Sequence, residues 1–155
     1  MEVTLDNPIP RKLSALLDEM SALDEDTRFE LLIEYAEKFK EVPSEIATRP
    51  FQAKDKVPAC ESEAFLWAIP IQDEQNPTKK TAKFYFAVEN PQGISAKALA
   101  VILDETLSHA PIEQIKNIPE DMIYRLFGHT VSMGKGLGLM SMVSMLKARA
   151  IALAR

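Results

Sequence analysis

From Thr81 to Glu89 the chain changes its period. Ala82, Phe84, Phe86 and Val88 alternate with Lys83, Tyr85, Ala87 and Glu89. A period of two sends neighbouring side chains to opposite faces of a strand, so this segment is a strand with one buried face. Upstream, Phe65-Leu66-Trp67-Ala68-Ile69 is a short apolar run of aromatic and β-forming residues, and it predicts a second strand. The polar connector from Gln72 to Lys80 lets the two pair antiparallel. Asn90-Pro91-Gln92-Gly93 reads as a turn, with a short third strand expected before the next helix. A sheet this small needs helices to cover it, which limits the fold to a mixed class.

The flanking segments have helical spacing. Pro8 and Pro10 suit a helix entrance, and Leu13, Leu16, Leu17, Met20 and Leu23 follow, giving a helix to about Ser21. Asp24 is an N-cap for a second helix, with Glu25 and Asp26 at its positive end. Its expected buried stripe is Phe29, Leu32, Ile33, Ala36 and Phe39, with Lys38 and Lys40 near its end and Pro43 stopping it. Residues 41–57 form a long aperiodic loop, in which Phe51 is the expected anchor. Ser95 is expected to cap a helix to about His109, and its run Ala98 to Leu103, apolar all round, marks it as central. Glu113 to Lys116 makes one turn. Pro119 opens a short helix to about Phe127, and Gly128 breaks it. After a glycine-rich turn, Leu139, Val143, Leu146 and Ala150 define a terminal helix to about Ala154. Residues 1–7 read as a loose lead-in. The whole is α+β: one domain over 1–155, with a small antiparallel sheet of about three strands packed by N- and C-terminal helices.

Composition narrows the chemistry. A formal charge of -5 argues against nucleic acid, which needs clustered Lys and Arg. One cysteine excludes an internal disulfide and any multi-cysteine zinc or iron–sulfur site within one chain. With two histidines, His109 and His129, and no metal-loop spacing, no metal site is expected. No apolar run has the length of about 20 residues that a bilayer requires. The N-terminal residues lack a signal-peptide pattern, so a cytoplasmic protein is expected, without membrane partners.

Three features invite a functional reading and do not sustain it. Gly134-Lys135-Gly136-Leu137-Gly138 precedes a helix, yet it misses both the phosphate-loop and the dinucleotide spacings, so a flexible turn is expected. Met133, Met140, Met142 and Met145 read first as core filling and second as an adaptable surface. The histidines have no recognisable Ser or Asp partner in local sequence.

Cys60 is different. It stands where a proline-punctuated loop meets an apolar strand, within Val57-Pro58-Ala59-Cys60-Glu61-Ser62-Glu63-Ala64-Phe65. A lone cysteine is often a small buried apolar residue. A reactive thiol, however, needs access, which a loop end supplies. Glu61 and Glu63 disfavour a thiolate formed in place and suit a thiol activated by its partner. Residue chemistry alone leaves both readings open.

The segment Val57 to Leu66, with its Cys, a Ser two residues on and an aromatic–aliphatic pair, resembles the SufE family of sulfur acceptors. Lys97-Ala98-Leu99-Ala100-Val101 resembles a second family segment, and Thr130-Val131-Ser132-Met133-Gly134-Lys135-Gly136-Leu137-Gly138-Leu139-Met140 a third. The likeness runs from about Leu13 to Ala154. There are three departures: Ala59 replaces the usual glycine, Asn90-Pro91-Gln92 an acidic stretch, and Met133 an arginine. The resemblance implies a SufE/NifU-like fold. It also implies a carrier rather than a stand-alone enzyme. Cys60 would take persulfide sulfur from a SufS-like cysteine desulfurase, stimulate that enzyme and pass the sulfur to a SufBCD-like iron–sulfur scaffold. The idle thiol would rest in an apolar cavity. No resident cofactor is implied beyond a transient persulfide on Cys60. Lys56, Val57, Glu61 and Ser62 are the expected partner-binding residues by position, and the expected state is a monomer or weak homodimer. The alternatives are an adaptor in which Cys60 is merely packed, or a cysteine hydrolase, which would need a histidine beside Cys60.

Overall fold

The computed structural model describes residues 8–76, 78–129 and 131–155; the expected lead-in 1–7 and Thr130 of the third family-like segment lie outside the described residues. Strand β1 (Ala64–Gln72) pairs antiparallel with β2 (Lys80–Val88), with Ala64 opposite Val88 and Gln72 opposite Lys80. The face carrying Ala82, Phe84, Phe86 and Val88 is buried in the main core. Its other face carries a smaller core of Val42, Phe65, Trp67 and Ala87, closed by Phe51 from the long loop. The Phe51 ring lies 5.1 Å from that of Phe65 and 5.0 Å from that of Trp67, as an anchor should.

The sheet has two strands, not about three. Gly93 ends the turn after β2 and a helix starts at Ile94, so no chain is left for another strand. The loop partly shields the sheet edges instead. Val42 N–H donates to the Phe86 carbonyl at 2.9 Å, and Lys56 forms an isolated bridge with Phe65. Such cover blunts edges that would otherwise pair with other chains.

Helix α1 (Arg11–Ser21) buries Leu13, Leu16, Leu17 and Met20. Helix α2 (Glu25–Glu37) is capped as expected: the Asp24 carboxylate accepts from Thr27 N–H at 2.7 Å. Hydrogen bonding from Thr27 holds that carboxyl below the usual range. The expected stripe of α2 is only partly buried. Leu32 is in the core, Ile33, Ala36 and Phe39 are half-buried, and Phe29 is 59% exposed. Helix α3 (Ile94–Leu107) is central, with Leu99, Ile102, Leu103 and Leu107 fully buried. Gly93, not Ser95, precedes its first turn, and no side chain caps it. Helix α4 (Ile112–Ile115) is one turn. A 3-10 turn at Glu120–Met122 leads into α5 (Ile123–Phe127), which ends at Gly128 with φ 82°.

The largest departure from expectation is α6, which spans Met133–Leu153. The glycines form no turn: they lie inside its first turns. Ser132 starts the helix, its hydroxyl accepting from Lys135 N–H at 3.2 Å. By length and hydropathy α6 would also suffice to span a bilayer. Here its apolar stripe Leu139, Met142, Val143, Leu146 and Ala150 is core, packed toward β1, α3, α4 and α5. Met142 fills the core and Met140 and Met145 pack against it, but Met133 is 80% exposed.

Arg49 fastens the long loop. Its guanidinium donates to Glu41 and Glu89 and lies 4.9 Å from the Phe51 ring centre. The Arg49 hydrogen bond holds the Glu41 carboxyl below its ordinary value of 4.5. A depressed folded value stabilises the native state above the ordinary carboxylate range, and that contribution is lost as pH falls through the lowered folded value. Glu41→Gln therefore costs stability at neutral pH, and the gap to wild type closes on acidification below about 4. Denaturant melts across this pH range measure it.

Candidate functional site

Cys60 lies in the turn 58–63 that links the long loop to β1. Val57 N–H donates to the Ala64 carbonyl at 2.8 Å and closes the base of the turn. Glu63 N–H donates to the Cys60 carbonyl at 3.0 Å, while Asn90 and Glu89 donate from the β2 turn to Ser62 and Glu63, each at 3.1 Å. The turn is thus bound to the one that follows β2. Its backbone holds two non-glycine residues at positive φ, Ala59 at 60° and Glu63 at 53°. The resemblance places glycine at position 59, and a left-handed φ is what glycine adopts freely. For alanine that conformation costs about 1–2 kcal/mol, partly offset by glycine's greater freedom when unfolded. Ala59→Gly is expected to raise stability by up to about 1 kcal/mol in a urea melt.

The thiol is half-buried and packs at the margin of the main core. It lines a cleft of about 360 Å3. Glu61 and Ser62 line the same cleft, with Phe29 of α2, Gly93 to Ala96 at the start of α3, and Gly134, Lys135, Gly138 and Leu139 of α6. Two helices therefore present their N-terminal ends to the thiol. Neither has an acidic residue in its first turn. Aligned peptide dipoles make such ends electropositive, favouring a bound anion. Glu61 opposes this from one side, its carboxylate 3.8 Å from where a Cβ on Gly134 would stand. A larger cleft of about 700 Å3 lies between the end of α2, β2 and α3. It shares no residue with the cleft at Cys60 and holds no thiol.

The sequence-derived residues fall into different settings. Lys56 and Glu61 are exposed and Ser62 is half-buried, and all three surround the Cys60 turn. Val57 is 1% exposed and holds the base of the turn. Lys56 is loosely paired with Glu63 at 3.8 Å. Neither histidine lines the cleft. His129 stacks on Tyr124 with ring centres 6.3 Å apart, and His109 follows α3 and donates its backbone N–H to the Ala82 carbonyl. The cysteine hydrolase reading thereby loses the base it needs. Among the described residues, no three His, Cys, Asp or Glu side chains gather as metal ligands.

Sequence reasoning missed several contributors. Phe29 and Ile94 line the cleft and are 59% and 45% exposed. Met133 and Leu137 are also exposed and sit beside Gly134 and Gly138 in the same helical turns. Among the described residues these four are the exposed large apolar side chains, and Phe29 and Ile94 line the cleft itself. Asp55 was missed as well. It is 6% exposed, accepts from Trp67 Nε1 and from Arg149 at 3.1 Å each, and ties the loop before Cys60 to β1 and α6.

A family model described as SufE, Fe-S metabolism associated domain, matches residues 14–150. Two proteins of Mycobacterium tuberculosis, from strains CDC 1551 / Oshkosh and ATCC 25618 / H37Rv, each carry the name uncharacterized SufE-like protein. Each is 25% identical over 142 residues, covering 91% of this chain and 92% of the relative. The solution structure of a hypothetical protein from Thermus thermophilus has the same fold. Its TM-score is 0.70 at 24% identity, covering 94% of this chain and 97% of that one.

Proposed function

Because the chain belongs to the SufE family of Fe-S metabolism associated domains, we propose that Cys60 is a sulfur carrier. The carrying observation is its place: the chain's single thiol borders a cleft framed by two helix N-termini and exposed apolar side chains. In the step proposed, the Cys60 thiolate attacks the outer sulfur of a persulfide on a cysteine desulfurase. A new S–S bond forms at Cys60, the donor's S–S bond breaks, and the donor's inner sulfur leaves as thiolate. The proton on the outer sulfur travels with it, and no net oxidation occurs. The helix ends favour the extra negative charge of the persulfide. Phe29 and Ile94 give the desulfurase apolar surface to cover at the cleft, with Lys56, Glu61 and Ser62 around the Cys60 turn. The sulfur then passes to an iron–sulfur scaffold. In this reading the protein works in the cytoplasm, and the persulfide is cargo rather than a resident cofactor.

A second thiol within the chain would resolve the persulfide as a disulfide. With one cysteine, the sulfur waits for an external acceptor. The test is intact mass after incubation with free cysteine and the desulfurase. A one-sulfur gain that reductant removes is expected, and its absence would sink the reading.

A further inference from the structure

The geometry points to Gly138 of α6 as a positioning residue for Cys60, a role that rests on the carrier reading above. An ideal Cβ at Gly138 would stand 2.9 Å from the Ala59 carbonyl oxygen and 3.1 Å from Cys60 Cα. Both are backbone atoms, so no flexible side chain can swing aside to make room. Gly138 is itself buried and lies inside a regular helix. There a glycine weakens the helix relative to alanine, and its backbone needs no special φ. What the position does need is the space. The bare helix surface lets the Cys60 turn rest directly on α6, at the wall of the cleft.

The turn is poorly placed to yield elsewhere. Ala59 already sits at φ 60°, and the base at Val57 and Ala64 is hydrogen-bonded shut. A methyl at position 138 therefore pushes the Ala59–Cys60 peptide away from the helix, taking the thiol off its seat and toward solvent. Displacements near 1 Å in a reacting group cost on the order of a hundredfold in rate. Here the shift is a fraction of that, so a loss of about tenfold is expected.

Gly138→Ala in the full-length protein gives two readings that move in opposite directions. Alkylation of Cys60 by iodoacetamide should speed up, by about threefold or more, because the thiol is less shielded. Sulfur uptake from the desulfurase should fall about tenfold, mainly in the maximal rate rather than in the half-saturating carrier concentration. Ala59→Gly in the same chain should restore both, since glycine at 59 lets the carbonyl retract without strain. That double variant also serves if the single one folds poorly. The alkylation assay needs no desulfurase, so it distinguishes failure of this inference from failure of the carrier reading. Unchanged alkylation and uptake in a folded Gly138→Ala protein would overturn the role. So would a loss that Ala59→Gly leaves untouched, which marks an ordinary packing defect.

Discussion

On the carrier reading, Cys60→Ser is expected to remove sulfur uptake and leave the fold intact. A serine hydroxyl at neutral pH does not attack a persulfide sulfur, and deleting a nucleophile elsewhere costs at least about a thousandfold. Stability should change by less than about 1 kcal/mol, because the side chain is only half-buried and the replacement is close in size. The same variant separates carrier from adaptor. A carrier without its thiol leaves the desulfurase at the rate it has alone. An adaptor with Cys60→Ser stimulates it as strongly as wild type does. Desulfurase turnover and intact mass, measured on one preparation, give both answers.

Asp55→Ala is the largest stability loss expected from a single polar residue. The carboxylate is buried, and its removal strands the Trp67 indole N–H and leaves Arg149 only the Lys54 carbonyl. Breaking a fully buried ion pair costs about 3–5 kcal/mol. The Arg149 side chain is one-third exposed and regains water, so about 2–3 kcal/mol is the better figure. Asp55→Asn keeps an acceptor for the indole and should lose about half as much. Trp67 is the chain's only tryptophan, so its fluorescence in a urea melt follows the affected site directly. A change under about 0.5 kcal/mol would show that the triad contributes nothing net.

How much of this was legible depends on range. Strands β1 and β2, the Asp24 cap, the central α3 and the break at Gly128 are local patterns, and each was readable. The start of α6 was not. Three glycines in five residues oppose a helix by propensity, and the reason for two of them is tertiary. Gly136 makes room for the Tyr124 hydroxyl, which would lie 3.0 Å from its Cβ, and Gly138 makes room for the Cys60 turn. The α2 stripe failed for a related reason. Periodicity marks Phe29 as apolar-face, but only the packing of α3 and α6 shows that this end of the face borders an open cleft. Around Cys60, the loop–strand junction was visible from proline and strand signals. The triad of Asp55, Trp67 and Arg149 joins residues up to 94 apart, and no local pattern announces it.

The closed base of the Cys60 turn sets a tether length. Val57 is buried and bonded to Ala64, so any excursion of the thiol starts there. Three peptide units separate Val57 from Cys60, and at about 3.5 Å each the backbone can carry the sulfur roughly 10 Å at full stretch. A swinging arm that ferries cargo between distant enzymes needs several times that span. A carrier with this tether would instead travel as a whole, docking face-on so that each partner brings its own sulfur chemistry to within one short stride of the turn.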